Sequence, residues 1–281
     1  MENKPLPTSE KGSSSFEEKK TNFFVKIGLK LKPEFLLHRE AGLWEKDTKK
    51  EEGTENEDNA ENWRSVSEHC LMEVARVSVF AEQLGLSESV TKDLIEAAAL
   101  HDFFKKEEMK KAGPNGLSWY DMEVASKRAA EFLRKKGIRE KVITLVNSVS
   151  LDSLKDMEKI CGKIHLSGSD IARLVLHYVD DYTQGSDWVE PAVVSGGKKM
   201  NSLDIRVAKA EGNPKYKQLD EDGKKFFGGE MPHEAQRRIG HLVEKRLFDI
   251  LNAKSAQNID PEDLPQFIDQ QIIAKIESEN I

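Results

Sequence analysis

Cysteine is nearly absent from this chain: Cys70 and Cys161 are the only two, and no CxxC pair exists. A disulfide framework and a thiolate zinc site are both excluded. No apolar run approaches the roughly 18 residues that a membrane helix needs. The opening residues, MENKPLPTSEKGSSS, hold no apolar stretch of the secretory-signal kind. Alternating runs of Val, Ile and Thr are missing too, so no strand is expected. Nor is there an excess of positive charge: 43 Lys and Arg face 50 Asp and Glu, a net of -7. That balance argues against nucleic acid as a partner, and an anionic ligand must be met by a local basic cluster or a metal. A reduced, cytoplasmic protein with no membrane contact is expected.

What is present organises into helices. Residues 1–21, rich in Pro, Ser, Gly, Glu and Lys, are expected to form a flexible tail. Residues 22–62 form an N-terminal extension, divided by Pro33. It ends in an acidic loop with eight acids and three lysines between Glu45 and Asn62. The main helical domain is expected over 63–255. Val66, Cys70, Val74, Val77, Ala81 and Leu84 recur three or four apart, and Gly85 then stops the helix. Ser87 N-caps a second helix that closes at His101, and Ser118 with Asp121 makes a capping box for a third. Val142 to Val149 and Ile171 to Tyr178 mark two more. An insertion over about 189–230 carries Gly and Lys, and the helical period returns from Pro232. Residues 256–281 read as a helical extension. The fold class is all-α.

His101 and Asp102 are adjacent, which alone means little. Seven histidines and eighteen aspartates in this chain predict about 0.45 such pairs by chance. The context is more informative. His69 lies on the first long helix, His101 and Asp102 close the Ala-rich second helix AAALHDFFK, and Asp180 lies at the inner edge of LVLHYVDDYT. Three helices of one bundle could aim two imidazoles and two carboxylates at one point. Such a mixed nitrogen and oxygen set suits one divalent ion: manganese, magnesium, cobalt, nickel or zinc.

These residues resemble the HD-domain superfamily of metal-dependent phosphohydrolases. SVSEHCLMEVARVSVFAEQLGL is similar to the family's first helix, IEAAALHDFFK to its His-Asp segment and YVDDY to its final Asp segment, with Val179 in place of a small residue. The likeness covers about Trp63 to Tyr182. It implies an HD-type helical bundle with His69, His101, Asp102 and Asp180 as metal ligands. The implied reaction is cleavage of a phosphate ester of a nucleotide or similar small molecule by metal-activated water. Asp102 could also orient or deprotonate that water, and Lys105 could point an ammonium at the phosphate.

Two departures bear on the subgroup. The extra histidines of binuclear members are missing around Asn147 and Ser150, and His165 and His177 read as structural, so a single metal is expected. VSEH resembles the opening of the nucleoside 5′-monophosphatase branch, and Arg64 sits where a phosphate-contacting arginine could precede it. That branch carries an acid where this chain has Lys105. A basic stretch including Lys198, Lys199, Arg206 and Lys209 could grip phosphate, against the plainer reading of a solvated excursion. His233 and His241 read as ordinary polar-face residues. The alternative to an enzyme is an HD-fold module that binds metal or nucleotide and regulates a partner without turnover. The apolar faces of residues 22–44 and 261–281 leave a homo-oligomer open.

Overall fold

A computed structural model of the chain describes residues 15–44, 64–109, 116–190, 193–195, 198–211, 213, 216–254 and 259–278. The acidic loop and most of the expected tail lie outside the described residues. Helices α1 (Phe16–Lys30) and α2 (Lys32–Glu40) meet at Leu31. Pro33 sits in the first turn of α2, where its missing N–H removes no helical bond. Helix α1 starts inside the stretch expected to be tail. Ser15 caps it by accepting from the Glu18 N–H, and Phe23 and Ile27 then pack inward. Within the expected tail itself, Phe16 packs against the core, an isolated apolar residue that the polar composition around it obscures.

The core follows with α3 (Arg64–Gln83), α4 (Glu88–Leu100), α5 (Lys105–Met109), α6 (Trp119–Lys135), α7 (Glu140–Val146), α8 (Leu154–Cys161) and α9 (Gly168–Tyr182). Helices α3, α4 and α9 pack on one another, and α7 lies against α4 and α9. Ala97, Ala98, Ala99 and Leu100 are all fully buried, so α4 is covered on every side near its end. Its alanines let the neighbouring helices approach closely. Each buried Leu or Val of this trio contributes about 1.5–3 kcal/mol. Capping boxes at Ser118 with Asp121 and at Ser167 with Asp170 start α6 and α9. Gly85 adopts φ 56° just after α3, a left-handed conformation that costs glycine little.

The insertion is folded. It contains β1 (Val193–Ser195) and β2 (Lys198–Met200), an antiparallel pair, then α10 (Ser202–Glu211) and α11 (Lys217–Phe226). The hairpin departs from the strand-free expectation, because three-residue strands are too short for an alternating pattern to register. Helix α12 (Pro232–Lys254) packs on α8, α9 and α10, and α13 (Leu264–Glu277) covers α3 and α1. Bidentate bonds from Arg76 to Asp269, at 2.8 Å each, fasten α13 to α3. No helix among the described residues is long and apolar enough to cross a membrane.

Candidate metal centre and its cavity

The first half of α3, the C-terminal end of α4 and the last turn of α9 bring four side chains to one point. His69, Glu73, His101 and Asp180 each offer a ligand atom, and these atoms lie within 4.8 Å of one another. His69 Nε2 stands 2.9 Å from Glu73 Oε1 and 3.4 Å from Asp180 Oδ1. His101 Nε2 is 3.6 Å from that same Asp180 oxygen. The ring faces this way because its Nδ1–H donates to the Ala98 carbonyl at 3.0 Å. That leaves the Nε2 lone pair for a cation, the usual arrangement behind a metal-binding histidine.

Glu73 was not singled out in the sequence, yet it belongs to this group. It follows His69 by four residues, so both share one face of α3. Its carboxylate is fully buried between the two imidazoles, with His101 Nδ1 3.4 Å from Oε2. Both Glu73 oxygens and His101 Nε2 lack an aligned hydrogen-bond partner among the described residues. Unsatisfied buried donors and acceptors are costly, and here they converge in a nitrogen and oxygen set suited to a divalent ion. The residues fit such an ion.

Asp102 stands beside the group, with Oδ2 3.9 Å from His101 Nε2 and its side chain 25% exposed. Helix α4 stops at Leu100, and α5 restarts at Lys105 after a turn. Lys105 nonetheless shares a cavity with Asp102 and pairs with Glu108 at 3.3 Å. The cavity, about 200 Å³, is also lined by His101, Asp180 and Arg206. Phe104, Met122, Val146 and Leu151 give it an apolar side. Of the basic stretch, Arg206 on α10 reaches inward, with Nη2 3.4 Å from Asp180 Oδ1. Lys209 instead donates to Gln184 on the exposed side. Helix α10 thus lends the cavity Arg206, Val207 and Ala210, while Lys209 stays on the solvent side. Lys198 and Lys199 lie on β2, and Arg64 opens α3, but their side chains fall outside the described residues.

Electrostatics agree with a cation site. Burial holds Asp180 up, but Arg206 and the two imidazoles outweigh it and bring its carboxyl well below the usual range. Burial opposes charge on His69 and His101 as well. Glu73 and the neighbouring acids overcome it, raising His69 and lifting His101 well above the ordinary imidazole value. Asp102 is likewise lowered, since Lys105 and His101 override its burial. Glu108 and Asp102 raise Lys105 well above the ordinary lysine range.

The remaining histidines separate clearly. Asp181, the neighbour of Asp180, turns away toward Gln236, which donates to it at 2.7 Å. His177 is buried, donating from Nδ1 to the Ser148 carbonyl with Nε2 3.3 Å from Asp181. His165 is exposed. His233 and His241 are not ordinary polar-face residues. His233 is buried against Asp220, and His241 bridges Asp204 and Glu244 at 3.2 and 2.9 Å. Asp220 and Asp204 are brought in from α11 and α10, which local periodicity does not encode, whereas Glu244 lies three residues from His241 on α12 itself. Comparison with models of known protein families, with curated proteins and with solved structures gives no match.

Proposed function

We propose that this chain is an HD-type metal-dependent phosphohydrolase that cleaves a phosphate ester of a nucleotide or similarly small molecule. One observation carries the reading: a buried His69, Glu73, His101 and Asp180 cluster opens into a cavity flanked by Lys105 and Arg206. A divalent ion bound there would offset phosphate charge and activate a water. The chain's own residues do the rest. Lys105 and Arg206 present two cations to the phosphate oxygens, Arg206 with a planar fork that suits them. Asp102, held ionised and facing the cavity, is placed to orient the attacking water and to take its proton once the ion has acidified it. The apolar side of the cavity accommodates the organic part of the ester and excludes bulk water. Glu73 departs from the expected ligand set, in which Asp102 completed the quartet. Asp102 is thereby freer to face the substrate.

The test is phosphate release by protein loaded separately with manganese, magnesium, cobalt, nickel or zinc. The panel covers nucleoside mono-, di- and triphosphates and simple phosphate esters, with His101→Ala as the comparison. Metal-dependent release that the variant loses is the expected result. Silence across the panel, with metal still bound stoichiometrically, overturns the hydrolase reading and favours a regulatory module.

A further inference from the structure

One buried acid–base pair takes no part in holding a metal or a phosphate. His233, the second residue of α12, is 3% exposed, and its Nδ1 lies 2.6 Å from Asp220 Oδ1 on α11. It also lines the cavity that contains Asp102, Lys105, Asp180 and Arg206. Asp220 lies against Nδ1, although neither atom has an aligned hydrogen-bond partner among the described residues, and Nε2 is the other ring nitrogen, on a residue that lines the cavity. Gln236 lies one turn further along, on the same face of α12. It lines the same cavity and donates to Asp181, next to Asp180. The α12 face bearing His233 is thus held against the segment that carries the metal-binding acid.

The chemistry of an alkyl phosphate gives this pair a task. A nucleoside or sugar hydroxyl departs poorly as an alkoxide, and a positioned acid accelerates its departure by about 10²–10⁴-fold. Lys105 and Arg206 are placed for phosphate oxygens, and the apolar wall limits water as a proton donor. We propose that His233 is the general acid for the leaving group, oriented by Asp220; this rests on the phosphohydrolase reading. The water oxygen forms the new bond to phosphorus as the bond to the ester oxygen breaks. The electron pair of that bond leaves with the ester oxygen, which takes the proton from the imidazolium Nε2. The proton of the attacking water passes to Asp102 and then to solvent, and solvent restores the proton on His233. The sum is ester plus water giving alcohol plus inorganic phosphate.

The experiment compares leaving groups in the full chain, loaded with whichever metal gives the highest phosphate release. p-Nitrophenyl phosphate, whose leaving group departs without a proton, is set against glycerol phosphate and a nucleoside 5′-monophosphate. His233→Gln should lower kcat on the alkyl esters by about 10²-fold, yet change p-nitrophenyl phosphate turnover by less than about threefold. In His233→Ala, which leaves the place of the ring open, added imidazole should restore part of the alkyl-ester rate. Asp220→Asn should show the same selectivity to a smaller degree. Equal losses on both ester types, or no loss on either, would overturn the proposal and leave the pair as a clamp between α11 and α12. If His233→Gln fails to fold, Asp220→Asn decides by the same comparison. A parent that cleaves only p-nitrophenyl phosphate overturns the general acid while the hydrolase reading stands. A parent that cleaves none of these esters overturns the general acid, and silence across the wider panel of nucleoside di- and triphosphates as well overturns the hydrolase reading.

Discussion

Acidification should weaken the parent protein against a His38→Gln variant, because His38 is buried in a neutral form. Its Nε2–H donates to the Ala99 carbonyl at 2.6 Å, and its Nδ1 accepts from the Ser67 hydroxyl at 3.0 Å. The same hydroxyl accepts from Trp44 Nε1 at 3.1 Å. Burial outweighs the Ala99 bond and pushes the imidazole down to about 4. Between that value and the ordinary one near 6.5, the unfolded chain binds a proton that the folded chain refuses. Stability is therefore intact above about pH 6.5 and falls as the pH drops toward 4. The interval is worth about 3 kcal/mol in total, and about 2 kcal/mol of it is lost by about pH 5.

His69 and His101 have raised values and oppose this trend, gaining stability as the pH falls. Both are present in parent and variant, so they cancel in the difference. Urea unfolding of both proteins at several pH values measures that difference. At neutral pH the variant should be weaker by about 1–3 kcal/mol, the cost of unmade buried hydrogen bonds. The gap should narrow by about 2 kcal/mol near pH 5. A gap that stays constant across this range would refute the buried neutral imidazole. Ser67 and Ala99 each precede a metal-site histidine by two residues, so equilibrium dialysis should also show weaker metal retention in the variant.

Three further outcomes are expected. Glu73→Gln keeps the shape of the buried acid but removes its charge, and should weaken metal binding by about 10-fold or more in isothermal titration; unchanged affinity would remove Glu73 from the site. Gly240→Ala would place a Cβ 2.9 Å from Leu203 Cδ2 and 3.6 Å from Asp181 Oδ2. By pushing α10 outward it should cost about 1–3 kcal/mol in urea, and raise KM as Arg206 shifts. Asp269→Ala strands the fully buried Arg76 guanidinium and should destabilise by about 3–5 kcal/mol. A loss below about 1 kcal/mol would mean that solvent reaches Arg76 once its partner is gone.

The elements most legible in the sequence were those whose ends carry their own chemistry. Ser87 and Ser118 each cap a helix through their hydroxyl, and Gly85 and Pro232 mark a stop and a start. His69, His101 and Asp180 were also legible, because each lies at a recognisable position on an amphipathic helix. Harder to read were contacts between segments distant in sequence. Arg206 is one cation of a basic stretch that also holds Lys198, Lys199 and Lys209, and only the folding of α10 against α9 selects it. The pairing of His233 with Asp220 likewise depends on α11 reaching α12, since neither residue has a local partner that announces it.

Glu73 belongs to a different class, because the information needed to find it is local. His69, Glu73 and Arg76 follow one another at spacings of four and three, which places them on one face of α3. All three are buried in a helix that is otherwise packed with Val, Ala and Phe. A solvated face would tolerate such a stripe, but Cys70, Val74 and Val77 sit immediately beside it and are buried as well. Polar residues interleaved with a buried apolar face must be paired or ligating, since burying an unpaired charge is so costly. The stripe divides along those lines. Arg76 is paired, through two bonds to Asp269, whereas His69 and Glu73 converge with His101 and Asp180. One helix thus joins α13 to the candidate metal centre. Breaking Arg76 from Asp269 should therefore loosen metal binding as well as the fold, and metal affinity of Asp269→Ala measured below its unfolding transition tests that coupling. Affinity equal to the parent's would show that α3 holds its site end independently of its C-terminal anchor.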